Sequence, residues 1–551
     1  MAAVEPDQAA LDALVRARLA EEAGNPAEAL AALQSLASQA PDLPGLRAEM
    51  LERAIDAGDL IAARNAAAAL WASGDQRFDA RLVLVVDAMR RSDWKGARAY
   101  LGTAQDDKSG GDAISRLIDP ALGAWVDAGQ RARQPERALV AAATRGRPEP
   151  AYALEAALVQ LAAGQSDAAV AAALETTPTD RLSQLVALRL VASLDAARQK
   201  DAAGTLRSRI ALAAGEREDP LLLLPEQAVT NPRAGAGHWL ALVADTLARL
   251  PKSNARLPLT FARAATWLND QDWTARSALA DALARSDRAA DGAAFLGGLR
   301  GPLPPVLRMR LAELTAEEGD RAAAVKIAEE AVTGDTPRSL LVRFADLARQ
   351  SDDAAAAERA YTRLEAALGD GDDSAPLRAT LLVARAELRL QAKDWDGAAP
   401  LMQRALALRP NDPTILNFVG YSALERRIDV AFEGAEAALP DERAGRFFFE
   451  QPEAIANQRP HAGIAHHAGP GLLARRGLAG DEARRARIGP HGGAGVQIRG
   501  AMAAQDEALG FEHGRQINVR QAPPPSIARP ARWTNRRRQR GAQPHGPGRR
   551  R

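Results

Sequence analysis

Apolar residues in this chain recur in short helical stretches that come two by two, each pair divided by a small polar phrase. "RAEMLERAIDA" (47–57) and "RLVLVVDAMRR" (81–91) read as first helices, with apolar residues dense enough to bury a face. Behind each comes a phrase with Gly, Asn or Asp, residues that tolerate left-handed or capping conformations. A second helical stretch then opens near a small residue. The pattern predicts helix–turn–helix units in an all-α chain.

The phrase is periodic. "GNPAEA" starts at Gly24, "GDLIAA" at Gly58 and "SDWKGA" at Ser92, two steps of 34 residues. "GQSDAA" at Gly164 and "RQKDAA" at Arg198 are again 34 apart, as are "RSDRAA" at Arg285 and "GDRAAA" at Gly319. "KDWDGA" at Lys393 is one more copy. The gap of 72 between Ser92 and Gly164 holds two units and an insertion of four. "SDDAAA" at Ser351 comes two residues early, and the Gly/Asp-rich stretch 369–376 restores the phase. Ala29, Ala63, Ala97, Ala169, Ala203, Ala290, Ala324 and Ala398 are the small residues that let the two helices of a unit approach closely. Pro41 follows Ala29 at the same spacing as Pro410 follows Ala398, at a point where a helix must end. Three separate 34-residue steps on one phrase tell this from a non-repetitive alanine-rich bundle. Trp94 and Trp395, inside the phrase, are expected to pack the turn against the neighbouring unit.

This unit resembles the tetratricopeptide repeat family, in the form met in GC-rich bacteria. The best match is residues 381–427, "LLVARAELRLQAKDWDGAAPLMQRALALRPNDPTILNFVGYSALERR". Ala386, Ala398, Met402, Ala405 and Pro410 sit where the family has small, small, large, small and Pro, and Gly420 follows Ala386 by 34. The departures are Arg385 and Arg389, at positions the family keeps apolar, and residues 205–270, which hold helices without a clean phrase. The resemblance implies an α-solenoid of roughly eight to eleven helix pairs over residues 8–431, wound into a superhelix with a groove lined by first helices. Such grooves take peptides or partner helices. Groove lining falls here on Leu14, Arg18, Ala48, Glu52, Leu82 and Val86. These are not the Lys/Asn clamp with which some relatives hold acidic tails. Their mixed apolar and acidic character suits an amphipathic or basic segment.

Composition adds one division. The 551 residues are 47% hydrophobic and 26% charged, with 4% aromatics, and are too long for one ordinary core. Residues 432–551 carry 20 Arg against 11 Asp or Glu, a net charge of +9, while residues 1–431 net −8. The end, "RQAPPPSIARPARWTNRRRQRGAQPHGPGRRR", has no apolar period, and a packed core is not expected there. Three readings fit this Arg/Gly/Pro-rich tail: a plain disordered tail, an Arg-rich arm (513–551) for nucleic acid or an anionic surface, and out-of-frame translation of a GC-rich gene. The last accounts best for a repeat lost in mid-unit after Ala431.

Catalytic and cofactor signatures do not stand out. The chain has no Cys, and "GK", HExxH and GxSxG never occur. "DGDDSAPLRATL", from Asp370, lacks the turn glycine and closing Glu of a calcium loop and reads as an inter-repeat loop. His461, His466 and His467 lack the Cys or ordered carboxylate that a metal site would need. His238, the lone His of the repeats, reads as structural or solvent-facing. The expectation is a non-catalytic protein-binding scaffold with no cofactor, no small-molecule substrate and no transmembrane segment; its partner is another protein. The start has no signal-peptide pattern, so the sequence as it stands reads as cytoplasmic, and as periplasmic or envelope-associated if a leader is missing.

Overall fold

The structure is a computed structural model. It describes residues 5–425, apart from 102–112, 145–148, 215–218, 251–255, 335, 352 and 369–373. The basic tail with its histidines, and the first residues of the loop at Asp370, lie outside these. Every regular element among the described residues is helical, 23 α-helices and one short 3-10 helix. Six hairpins come first: α1 (Glu5–Glu22) with α2 (Pro26–Gln39), α3 (Leu46–Ala57) with α4 (Leu60–Ala72), α5 (Phe78–Arg90) with α6 (Trp94–Leu101), α7 (Ala113–Gly129) with α8 (Arg137–Ala143), α9 (Pro150–Ala162) with α10 (Ser166–Glu175), and α11 (Arg181–Ala196) with α12 (Lys200–Ala214). The 3-10 turn Pro220–Leu223, α13 (Pro232–Ala248) and α14 (Arg256–Leu268) follow. Hairpins resume as α15 (Trp273–Arg285) with α16 (Ala289–Gly297), α17 (Pro305–Glu317) with α18 (Arg321–Ala331), α19 (Arg338–Gln350) with α20 (Ala354–Ala367), and α21 (Ala375–Gln391) with α22 (Trp395–Leu408), and α23 (Pro413–Glu425) closes the described chain. The chain is thus an α-solenoid of stacked helix–turn–helix units.

The phrase works through two adjacent backbone positions. Its first residue takes the left-handed conformation: Gly24, Gly58, Ser92, Gly164, Arg198, Gly319 and Lys393 all have φ between +58° and +97°. Reversal there ends the first helix and turns its last carbonyls back onto the chain. The second residue is the cap of the next helix. Asn25, Asp59, Asp93, Asp320 and Asp394 each accept a hydrogen bond from the backbone N–H three residues on, at 2.9–3.2 Å. The insertion before Gly164 hides a further such turn, with Arg131 left-handed at φ 58°.

Seven of the eight alanines expected at the helix crossing are fully buried: Ala29, Ala63, Ala97, Ala169, Ala203, Ala324 and Ala398. Ala290 is not. It lies exposed on α16. The left-handed residue of that unit is Asp287 rather than Arg285, so the register slips by two and Gly292 takes the crossing. A Cβ on Gly292 would stand 3.1 Å from the Ala280 carbonyl oxygen. The helices before Pro41 and Pro410 end at Gln39 and Leu408, and Gly420 lies in α23. Trp94 packs on Gly129 at the end of α7, in the next unit. Trp395 packs against Ala386, Ala398 and Met402.

Three pairs of neighbouring first helices are joined by a charged rung, and each rung holds the same register relative to the crossing residue. A forward rung lies on the first helix eleven residues before the crossing residue in the chain, and a backward rung fourteen residues before it. Arg18, Asp281 and Glu313 hold the forward rung, ahead of Ala29, Gly292 and Ala324. Glu49, Arg310 and Arg343 hold the backward rung of the unit that follows each. Arg18 meets Glu49 at 3.1 Å, Asp281 meets Arg310 at 2.6 Å, and Glu313 meets Arg343 at 2.7 Å. The rungs are partly exposed, so each contributes of order 1 kcal/mol or less, and their main effect is to fix register.

Residues 205–270, which lack the phrase, break the rule that each unit touches only its neighbours. All residues of α13 from Ala234 to Asp245 are buried, as befits a helix apolar on every side. It packs on α7, while α14 packs on α5 and α3, far upstream in the chain. Gly235 permits this, since a Cβ there would lie 2.3 Å from the Trp125 ring.

Two stability changes follow. Gly235→Val is expected to cost about 2–3 kcal/mol by overpacking α13 against Trp125. Arg198→Gly, at an exposed left-handed turn, is expected to gain about 0.5–1 kcal/mol. Urea melts at constant m-value check both.

Candidate binding face and its buried polar cluster

The six residues expected to line a groove are spread over α1, α3 and α5. Leu14, Ala48 and Glu52 are half-buried and Arg18 is exposed. Leu82 and Val86 are not available, at 2% and 0% exposure. They lie in the main core, into which α13 and α14 also pack, so this stretch of the first-helix face is covered from within the chain.

What covers α3 and α5 is an amphipathic basic helix. Glu52 holds the forward rung ahead of Ala63, but the backward rung of α5 falls on Val83, which carries no charge. The cations come from elsewhere: Arg77 reaches Glu52 at 3.0 Å, and Arg256 of α14 ion-pairs with it. Asp56 takes Arg53 at 2.7 Å, with Arg256 at 3.6 Å. The end of α3 then receives three more donors. Arg263 and Arg288 donate to the Asp56 carbonyl at 3.1 and 2.9 Å, and the Trp267 indole N–H donates to the Gly58 carbonyl at 3.3 Å. Cations at the C-terminal end of a helix meet the negative pole of its dipole. Burial, and then the neighbouring Arg288, lower the Arg263 guanidinium to about 10, so it keeps its charge at neutral pH. Gly58 is required twice over: its φ is +79°, and a Cβ would lie 2.7 Å from Arg263 Nη1. Phe261 meets Phe78 with ring centres 5.7 Å apart, completing the apolar side of the contact.

Beneath α13 lies a buried polar cluster that sequence reasoning missed. Arg189 of α11 and Asp272, the N-cap of α15, form an ion pair at 2.8 Å, with exposures of 7% and 0%. Arg189 also donates to Thr274 Oγ1 at 3.3 Å. His238, here a buried residue, holds Nδ1 3.8 Å from the Asp272 carboxylate. Burial, and then the Arg189 charge, hold the imidazole neutral, lowering it to about 3. Burial works against the Asp272 carboxylate, but Arg189 and the Ala275 N–H together keep it below its ordinary range. One helix away, Glu155 of α9 is fully buried and accepts the Trp125 Nε1–H at 2.7 Å. Burial outweighs that bond and the distant Arg189, pushing the carboxyl up to about 8. The signal that could have found the cluster is the apolar run of α13 itself, which demands partners on every side. The cleft beside it is lined by Leu185, Arg189, Gln227, His238 and Thr274, and its enclosed part holds about one water. That is room for a bridging solvent molecule and not for an organic substrate.

Among the described residues no group of three or more acidic or His side chains could hold a metal ion, and no helix is long and apolar enough to cross a membrane. Comparison with known proteins gives little more. No protein-family model matches the chain, and no curated protein does. Solved structures similar to it include the crystal structure of yeast Tom70, at 13% identity over 77% of this chain and 98% of that one, with a TM-score of 0.27. The APC/C hetero-tetramer Cut9–Hcn1 is similar at 13% identity over 75% and 90%, with a TM-score of 0.25. The TPR domain of P58(IPK) is similar at 15% identity over 76% and 99%, with a TM-score of 0.20. At such scores these likenesses add nothing to what the helices themselves show.

The buried carboxyl makes a pH signature. Glu155 has a raised folded-state value, so its contribution is complete below about 4.5 and is lost as the pH rises through about 8. Glu155→Gln keeps an acceptor for Trp125 and removes the titration. Between pH 4.5 and 8 the variant is expected to lose about 2–5 kcal/mol less stability than the parent chain, measured by urea melts at both pH values.

Proposed function

We propose that this chain is a non-catalytic scaffold of the tetratricopeptide type, binding a helical or extended segment of another protein on its first-helix face. The observation that carries the reading is the seat of α14. Glu52 and Asp56 on α3, flanked by the apolar side chains of α5, hold a helix whose Arg256, Arg263 and Trp267 face α3 while Phe261 meets Phe78 of α5. This is the mixed acidic and apolar lining that suits a basic amphipathic segment, and here the segment is supplied in cis. A partner then finds the neighbouring, uncovered part of the same face, at Leu14, Arg18 and Ala48, and its expected chemistry is the same.

A photo-crosslinking residue at Ala48, compared with one at Ile61 on the opposite side of the unit, tests this in cells. Ile61 is 67% exposed and serves as the control surface. The expected result is a protein captured from Ala48 and not from Ile61, and weakened at least several-fold by Leu14→Lys, which removes an apolar contact and repels a basic segment. Identical capture profiles from the two positions overturn the proposal.

A further inference from the structure

One apolar stripe among the described residues is left open. Leu11, Val15 and Leu19, at i, i+4 and i+8 of α1, are 59%, 49% and 59% exposed. The register of the array says what such a stripe faces. Val15 holds the backward rung ahead of Ala29. The equivalent residues in α3, α17 and α19 are Glu49, Arg310 and Arg343, and each reaches back to the preceding first helix, to Arg18, Asp281 and Glu313. Arg53, the equivalent of Leu19, reaches back likewise, to Glu21 at 2.6 Å. This face of a first helix is therefore built to take another helix. In α1 it is apolar where α3 carries charge. In α7 the three equivalents, placed by its left-handed turn at Arg131, are Ile118, Leu122 and Val126. They are apolar too, and they are buried to 1% exposure or less. A stripe of that kind left in water is costly for an isolated chain and is the mark of an interface.

We infer that a second copy of this chain covers the stripe, α1 against α1, about a two-fold axis passing by Val15. The remaining large exposed apolar residues, Leu43, Ile61, Val140, Leu250, Leu408 and Leu416, lie on other helices and loops, and no three of them share one helix. The described surface that matches the stripe in size and spacing is the same stripe on another copy, which is the condition for an isologous contact. Leu11, Val15 and Leu19 form an i±4 ridge, and two such ridges interdigitate at the commonest helix-crossing angle, roughly −50°. The smaller Val15 sits at the centre, where the two helices come closest, with a leucine on either side. The flanking charges, Asp12, Arg16, Arg18 and Glu22, cancel, so two copies meet without a block of like charge. Three side chains from each copy make a small contact, and a dissociation constant on the order of 10 µM is expected rather than a permanent dimer.

The full chain, which has no cysteine, offers a clean test. Sedimentation equilibrium from about 1 to about 200 µM is expected to show a monomer–dimer equilibrium in the parent chain. Val15→Asp places two carboxylates at the axis and is expected to abolish the dimer. Its helical content and thermal melt stay unchanged, because Val15 is exposed in the monomer. Val15→Cys is expected to form a disulfide-linked dimer under mild oxidation at least tenfold faster than Ile61→Cys, because only the axis brings a residue within disulfide reach of its own copy. A monomer at every concentration, a dimer untouched by Val15→Asp, or equal cross-linking of the two cysteine variants overturns the inference.

Discussion

The structure depends on two neighbouring backbone positions repeated along the chain. A residue in the left-handed region stops one helix, and the Asn or Asp behind it caps the next. Without the first, the chain would run on; without the second, the amides at the start of the new helix would be unsatisfied beside the turn. Together they fix the angle at which the helices of a unit meet, and that angle lets the crossing residue be small. The cost is visible where the left-handed residue is Ser92, Arg131, Arg198 or Lys393 instead of glycine. Such sites are strained by about a kilocalorie per mole each, and the packing of the two helices holds them.

A pure stack of such units needs no contact between distant parts of the chain. This one makes them. The helix with no amphipathic face, α13, cannot lie on the outside of anything. It is buried from Ala234 to Asp245, with Tyr152 against its Trp239, Trp125 against its Gly235 and the Arg189–Asp272 pair beneath. That pair is the counterpart of the apolar packing. Removing either member would leave a charge buried without its partner, which costs far more than the pair itself contributes. The two kinds of order therefore differ: the hairpins are local and repetitive, while the insertion is unique and tied by long-range ion pairs to α3 and α11.

That difference decides what could be read from the amino-acid sequence. The phrase, the crossing alanines and the helix ends before Pro41 and Pro410 are local, and they were legible because each depends on neighbours within one unit. The slip at Ala290 was not, because Arg285 and Asp287 are equally able to begin a phrase, and only the close approach of Gly292 to Ala280 and Leu314 selects between them. The six expected groove residues fall on first helices, as repeat spacing alone places them. That Leu82 and Val86 are covered, and that Glu52 is paired with Arg256, could not be seen from that spacing, since the covering helix lies outside the period.

The departures from the repeat pattern have a common physical cause. Arg385 stands where an apolar residue is usual, and it ion-pairs with Glu358 and Glu365 of the preceding unit. Glu52 stands on a rung whose partner position is Val83, and an arginine from α14 completes it. Val15 stands on a rung with no charge at all, and the residues on either side of it along the stripe are leucines. In each case the residue at the irregular position is matched to what lies across from it rather than to the repeat. An interface position in such an array is thus marked by disagreement with its own repeat equivalents. Glu52 shows that the disagreement can be answered within the chain. The stripe on α1 is the same kind of disagreement, with its apolar side still facing water.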